Sequence, residues 1–272
     1  MEDEWRRAVR LPLSWVEPGR RLAALRLKAR SYRAVELVHE SIDAAGARMM
    51  ESLCRFRPEG LMECMSIVEL GGADPSRLEG DLRSLDGVES VALVEGSPVG
   101  FAAHGGLILE AAGTRSLLMT GRALLGMLLG VREFLGEDVG SALLYHIGYY
   151  SGREAAREHA SLLGPGAVPQ VNFSVLQSHG YASSIEVLGS PDGSRYRIEA
   201  RDLIECDLLK GHRNGRTSHW IRGMIAGILS AALGGEWEVE EVECVNEGSD
   251  KCAFEARTVQ GGQRPPAPAK RT

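Results

Sequence analysis

The sequence lacks the features that would mark an exported, membrane-spanning or nucleic-acid-binding protein. The N-terminal stretch MEDEWRRAVR begins with acidic residues and has no apolar core, so no cleavable export signal is expected. The longest apolar run, WIRGMIAGILSAALGG (220–235), contains Arg222 and falls short of the roughly 20 residues that cross a bilayer. A net charge of -6 gives no general attraction to nucleic acid. The sequence therefore predicts a cytoplasmic protein with neither a membrane nor a nucleic-acid partner.

Sequence motifs for catalysis are also missing. The stretch GGADPSRLEG (71–80) lacks the lysine and the strand-to-helix setting of a phosphate-binding loop. No Ser-centred nucleophile elbow and no dinucleotide fingerprint occurs. The chain has no recognisable ATPase segment or helix-turn-helix either, so a regulatory output would require a protein partner. The sequence assigns no catalytic residue.

The composition is that of a globular protein. The 272 residues are 44% hydrophobic and 25% charged, and this length favours two domains. An odd number of cysteines without an export signal predicts reduced thiols or metal ligands in preference to a disulfide framework. The five cysteines are Cys54, Cys64, Cys206, Cys244 and Cys252.

Residues 22–96 alternate between strand-like and helical patterns. Val35, Val38 and Ile42 recur at helical spacing, and Pro75 is placed to begin a second helix. The predicted order is β-α-β-β-α-β. This order, and the stretch DPSRLEGDLRSLDGVESVALVE, resemble the ACT-like small-molecule-binding regulatory domains, which are built on the ferredoxin-like plan.

Two long helical patterns come next, followed by strand-like segments, a further helix and a hairpin. The second helical pattern carries an apolar stripe that is expected to face the first helix. The stripe residues are Val139, Leu143, Ile147 and Tyr150. The order of these segments predicts an α+β domain in which helices pack on an antiparallel sheet.

The hairpin segment EVECVNEGSDKC (241–252) carries the residues with most chemical potential. Its seven-residue loop can bring Cys244 and Cys252 together, which suits reduced thiols, a metal or a disulfide. Glu241 and His219 favour a metal, because zinc accepts thiolate, imidazole and carboxylate in a tetrahedral set. In a regular strand Glu241 and Cys244 would point to opposite faces, so both reach one ion only if the strand bulges between them.

Residues 101–257 resemble the 4-vinyl-reductase-like domain, a small-molecule-binding module that also forms the sensory part of regulators responding to phenols and toluenes. The resemblance rests on the Gly-Tyr-x-Ser-Gly run from Gly148 to Gly152, on Glu205, and on Glu-x-x-Cys followed by a second cysteine eight positions later. It implies a zinc ion held by Glu241, Cys244 and Cys252.

The remaining zinc ligand of the sensory members is a cysteine just before a tryptophan. This chain has His219 before Trp220, and Cys206 beside Glu205 is the alternative ligand. Four protein ligands would leave no open position, so the resemblance implies a structural zinc. It also implies a homodimer.

Five side chains are candidates to line a pocket for a small hydrophobic or aromatic ligand, because an apolar cavity needs few polar groups for orientation. For each, ordinary packing or a surface position stays open as well. They are His146, Tyr149, Tyr150, His179 and Tyr181. The segment YRIEARDLIEC has no tryptophan where the phenol-sensing members have one, so phenol is not transferred as the ligand.

The resulting interpretation is a regulatory sensor or carrier of small molecules. Its expected parts are an N-terminal extension (1–21), an ACT-like domain (22–96), a 4-vinyl-reductase-like domain (101–257) and a disordered tail (258–272). One alternative is an enzyme or accessory factor of tetrapyrrole or aromatic metabolism, with His146 or His179 as acid or base. Another is a protein-interaction scaffold.

Overall fold

The computed structural model describes residues 9–163, 168–190 and 192–259. It divides into two compact units between Leu109 and Glu110. The first eight residues of the predicted extension, and the predicted tail beyond Val259, lie outside the described residues. Within the described residues, no helix combines the length and apolar character that crossing a membrane demands.

The first unit has the predicted β-α-β-β-α-β order within it. Its elements are β1 (Ser14–Val16), β2 (Leu22–Ala29), α1 (Tyr32–Ala44), β3 (Arg48–Phe56), β4 (Met62–Glu69), α2 (Pro75–Arg83), β5 (Val88–Glu95) and β6 (Phe101–Ala103). The antiparallel sheet has the order β3-β4-β2-β5. Side chains cap both helices: Ser31 accepts from the Ala34 amide, and Asp74 from the Arg77 amide.

Both faces of this sheet are covered by apolar packing. One face packs Leu25 and Leu27 of β2 against Val38 and Ile42 of α1. On the other face, Ala102 of β6 packs with Trp15, Leu22, Ala24 and Ile67. Because β6 pairs with β1, residues 101–103 belong to the first unit, and the boundary lies later than the predicted domain start at residue 101.

Two cysteines in the first unit correct an expectation from the sequence. Cys54 and Cys64 are register partners on β3 and β4, and they form a disulfide bond. Reduced thiols or metal ligands were expected for all five cysteines. The spacing of the pair did not reveal the disulfide, because register depends on the β3–β4 pairing and on the irregularity between Met49 and Glu51.

The second unit follows an α+β plan, and this fold class is confirmed. Its elements are β7 (Leu109–Ala111), β8 (Thr114–Ser116), α3 (Gly121–Leu135), α4 (Glu137–Leu163), α5 (Val168–Ser178), β9 (Ser184–Gly189), β10 (Arg195–Arg201), α6 (Ile204–Leu209), α7 (His219–Leu233), β11 (Trp237–Glu243) and β12 (Cys252–Thr258). β7 begins at the boundary residue. The antiparallel sheet has the order β11-β12-β10-β9.

Helices α4 and α7 pack backbone against backbone. A Cβ atom built on Gly148 would lie 2.0 Å from the carbonyl oxygen of Trp220, and one on Gly223 would lie 1.9 Å from that of Tyr145. Gly152 and Gly227 repeat the contact one turn later. The glycines of the Gly-Tyr-x-Ser-Gly run are therefore needed for close helix packing.

This packing overturns the expected contact between the two long helices. The predicted apolar stripe of α4 is exposed, with Val139 at 59% and Tyr150 at 55% of their full accessibility. α4 instead turns its glycine face toward α7, and its Leu144 packs with Leu124 and Leu128 of α3. The glycines permit a closer approach than the larger stripe residues would, so the stripe is left on the outer side.

Candidate metal centre

A buried group of three thiols and one carboxylate lies between the sheet and the start of α7. Cys206 comes from α6, Glu241 from β11, and Cys244 and Cys252 from the two ends of the hairpin loop. All four residues are at most 3% exposed. Their candidate ligand atoms lie within 4.8 Å of one another.

A bulge in β11 brings Glu241 and Cys244 to the same site. The register shifts between Glu241, which pairs with Phe254, and Glu243, which pairs with Ala253. The extra residue changes which face the following side chains point to, and Cys244 is fully buried. The loop then turns through Val245–Glu247, and Gly248 ends this turn with a φ of 94°, a backbone conformation that favours glycine.

The distances suit a tetrahedral divalent ion. The Sγ atom of Cys206 lies 3.5 Å from that of Cys244, 3.2 Å from that of Cys252 and 3.7 Å from Oε1 of Glu241. Metal–sulfur bonds of about 2.3 Å at tetrahedral angles place two sulfurs about 3.8 Å apart. The four atoms therefore need only small shifts to surround one ion.

Ser218 holds the carboxylate of Glu241 in place. Its hydroxyl donates to Oε1 at 2.8 Å, and its backbone N–H donates to Oε2 at 3.1 Å. The same hydroxyl lies 2.8 Å from Sγ of Cys206. Residues that orient a metal ligand in this way tune metal affinity, so Ser218 is a positioning residue of the site.

Burial and mutual contact perturb the acid–base behaviour of the group. Burial, reinforced by Cys244, raises the pKa of Glu241 to about 8. The hydrogen bonds that Cys206 shares with Cys244 and Cys252 raise the pKa of Cys206 and lower that of Cys252, and the Val245 amide also lowers the latter. Without a cation the group retains protons, so metal binding would release them.

The structure places Cys206, and not His219, among these four residues. His219 is the first residue of α7, and its Nδ1 lies 3.2 Å from Nη2 of Arg222, one turn along the helix. Burial and the charge of Arg222 lower the pKa of His219 to about 4. The short helix α6 brings Cys206 to the position that the sequence assigned to His219.

A second buried carboxylate, Glu205, fixes α6 to the start of α7. It accepts hydrogen bonds from the amides of Trp220 at 3.2 Å and Ile221 at 2.8 Å. Arg132, which is also buried, lies 3.8 Å from Glu205 and donates to the carbonyl of Thr217. Sequence reasoning missed the roles of Arg132 and Ser218. An arginine four positions after Leu128, on the apolar face of α3, was the available signal.

The five predicted pocket residues do not gather around one cavity. His146 and Tyr150 are exposed on α4, and the guanidinium of Arg153 lies 4.5 Å from the ring centre of Tyr150. Tyr149 is half-buried. His179 is exposed just after α5.

The fifth of these residues, Tyr181, lines a small apolar cavity inside the second unit. Its ring contacts that of Trp220, with centres 5.5 Å apart, and burial raises the pKa of its hydroxyl. The cavity volume is about 10 Å³, which suffices for a single water molecule. The other lining residues are all apolar: Phe173, Leu176, Ile185, Ile198, Ala200, Leu203, Ile221, Ile225 and Phe254.

Comparison with known proteins places a family match on the metal-site segment. The model of the vinyl-4-reductase domain family matches residues 201–258, which contain Cys206, Glu241, Cys244 and Cys252. The resemblance drawn from the sequence is thereby confirmed over these residues. No curated protein matches the chain.

Several solved structures are similar to about half of the chain. The phenol-responsive sensory domain of the transcription activator PoxR is 21% identical, covers 53% of this chain and 77% of its own, and has a TM-score of 0.45. A vinyl-4-reductase family protein from Methanocaldococcus jannaschii is 20% identical over 53% and 85%, with a TM-score of 0.38. A trafficking protein particle complex subunit 3 from Naegleria fowleri, covalently bound to palmitic acid, is 21% identical over 52% and 94%, with a TM-score of 0.37. Similarity at this level carries no argument about ligand or activity.

Proposed function

We propose that Cys206, Glu241, Cys244 and Cys252 hold a structural zinc ion. The observation that carries this proposal is the convergence of three buried thiols and a buried carboxylate within 4.8 Å. Zinc accepts this set of ligands, and four protein ligands leave no position for a reacting water. The ion would join α6, α7 and the hairpin into one structural unit.

Charge around the proposed ion favours its retention. Three thiolates and one carboxylate around a divalent cation leave a net charge of about -2. The amides of Ser218 and Val245 point at these ligands, and the start of α7 adds the positive end of its dipole. Zinc analysis of protein purified without chelators tests the proposal: we expect one zinc per chain.

We further propose that the second unit binds a small apolar or aromatic molecule at the cavity beside Tyr181. Support comes from its lining, which is entirely apolar except for one hydroxyl. Its small volume means that lining side chains must move apart to admit a ligand. Such a site would suit a sensor or carrier, in which ligand entry changes the packing of α5 and α7.

Thermal unfolding in the presence of phenol and of toluene tests the ligand site. We expect both probes to raise the melting temperature of the wild-type protein. Tyr181→Phe should weaken phenol binding by about tenfold, because one hydrogen bond is lost, and should leave toluene binding unchanged. Tyr196→Phe, another half-buried tyrosine of the second unit, is the matched control. Absence of any effect from either probe on the wild-type protein would rule the site out for such molecules.

We also propose that the first unit is an ACT-like regulatory domain, that the protein is a homodimer, and that any output passes through a protein partner. The order of strands and helices in the first unit supports its assignment. Analytical ultracentrifugation tests the dimer, and a pull-down with ligand-loaded and ligand-free protein tests the output partner.

A further inference from the structure

Helix α3 is apolar on nearly all sides, yet half of it is exposed. Only three of its 15 residues are charged, and one of these, Arg132, is buried. Met127 and Phe134 are 49% and 89% exposed on the side away from the core. A helix that is apolar all round is normally buried, so the exposed side of α3 is suited to a partner.

Two glycines on the exposed side of α3 have no role within the described part of the chain. A Cβ built on Gly126 or Gly130 would meet nothing within 4 Å. Each glycine inside a helix costs about 1 kcal/mol relative to alanine. Gly148 and Gly152, at the same spacing on α4, allow the backbone of α7 to approach closely. The glycines of α3 would allow the same approach by a helix outside this chain.

Two charged residues identify which helix fits. Arg122 and Glu133 are eleven positions apart, about three helical turns, so they lie on the same flank of α3 at its opposite ends. Among the described residues neither has an ion-pair partner. If a second α3 crosses antiparallel about a twofold axis, Arg122 of each copy meets Glu133 of the other. The midpoint of this pairing falls beside Met127, at the centre of the apolar side.

We propose that two copies of this protein associate through α3, packed antiparallel across Gly126 and Gly130. This inference rests on the proposed homodimer and is independent of the proposed zinc and ligand. The exposed residues Leu117, Leu118 and Met119 extend the apolar area toward the roughly 800 Å² per partner that a stable interface buries. A membrane surface fits less well, because such helices are rich in Lys and Arg and the exposed side of α3 has only Arg122.

Sedimentation velocity over a micromolar concentration series tests the proposal with full-length protein. The wild type should be a dimer. Gly126→Leu should weaken association by at least about tenfold, because the added side chain keeps the helices apart. The matched control is Gly80→Leu, since Gly80 is an exposed glycine of α2 with equally open space. It should leave the dimer intact. Circular dichroism shows whether each variant stays folded.

Charge reversal tests the antiparallel arrangement. Arg122→Glu and Glu133→Arg should each weaken the dimer by about tenfold, and the double variant should restore it. A wild-type dimer that is unaffected by Gly126→Leu and by both reversals would overturn the α3 surface and leave the homodimer standing. A wild-type monomer would overturn both. Dissociation by Gly126→Leu without rescue in the double charge variant would overturn the antiparallel pairing.

Discussion

Cysteines occupy different chemical settings in the two units. In the first unit, Cys54 and Cys64 face each other on neighbouring strands and form a disulfide. In the second unit, the three cysteines come from α6 and from both ends of a hairpin loop, and they meet a buried carboxylate. Two thiols alone close a disulfide, whereas three thiols with Glu241 provide a complete ligand set for an ion. The two units should therefore respond to different reagents.

The largest expected effect is the loss of a ligand from the second unit. Cys252→Ser should release the metal and lower the free energy of unfolding of this unit by at least about 3 kcal/mol, because metal binding contributes directly to folding. Metal content and thermal unfolding measure the two effects. The matched control is the double variant Cys54→Ser/Cys64→Ser, which should keep its metal. Equal metal content in both variants would contradict the division between the units.

The next effect separates Cys206 from His219 as the fourth ligand. Cys206→Ser should reduce metal affinity by more than about 100-fold, since changes to residues that only orient ligands already cost 10- to 100-fold. His219→Ala should leave the affinity unchanged, because its ring contacts Arg222. Competition with a chromophoric chelator measures both affinities. Loss of metal from His219→Ala alone would reverse the assignment.

A smaller effect is expected from the disulfide of the first unit. The bond joins residues 10 positions apart, and closing a loop of this size stabilises a protein by about 2–3 kcal/mol. A phosphine reductant should therefore destabilise the first unit, and a chelator the second. Hydrogen exchange resolved along the chain distinguishes the units. A chelator that destabilised residues 22–95 as strongly as residues 201–258 would contradict the comparison.

The smallest effect concerns a buried histidine of the first unit. The Nε2 atom of His104 lies 3.1 Å from the carbonyl oxygen of Ser66, and burial, with Arg26 nearby, lowers its pKa below 6.5. The folded state then binds fewer protons than the unfolded state, so stability decreases as the pH falls through about 6.5. His104→Asn should weaken this dependence. Denaturant unfolding at pH 7 and at pH 5 measures it, and an identical pH dependence for both proteins would rule out this role of His104.

The sequence is most informative where local pattern decides the structure. Helical spacing around Val38 and Pro75 predicts the elements of the first unit, and the spacing of Glu241, Cys244 and Cys252 predicts three of the four gathered residues. The same spacing shows that β11 must bulge if Glu241 and Cys244 are to meet. These features depend on near neighbours in the chain.

Contacts between distant segments are harder to predict. Cys206 reaches the site because Glu205 fixes α6 to the start of α7, and no local spacing indicates this contact. Likewise, the glycines of α4 decide which of its two faces is buried, although its other face carries larger apolar residues. Close backbone packing prevails over side-chain hydrophobicity.

X-ray absorption spectroscopy of the purified full-length protein at the zinc edge tests the proposed metal centre most directly. We expect one zinc per chain with three sulfur ligands at about 2.3 Å and one oxygen ligand at about 2.0–2.2 Å. A protein without metal, whose Cys206, Cys244 and Cys252 all react as free thiols after denaturation, would contradict this expectation. So would a coordination shell with two sulfurs and an imidazole.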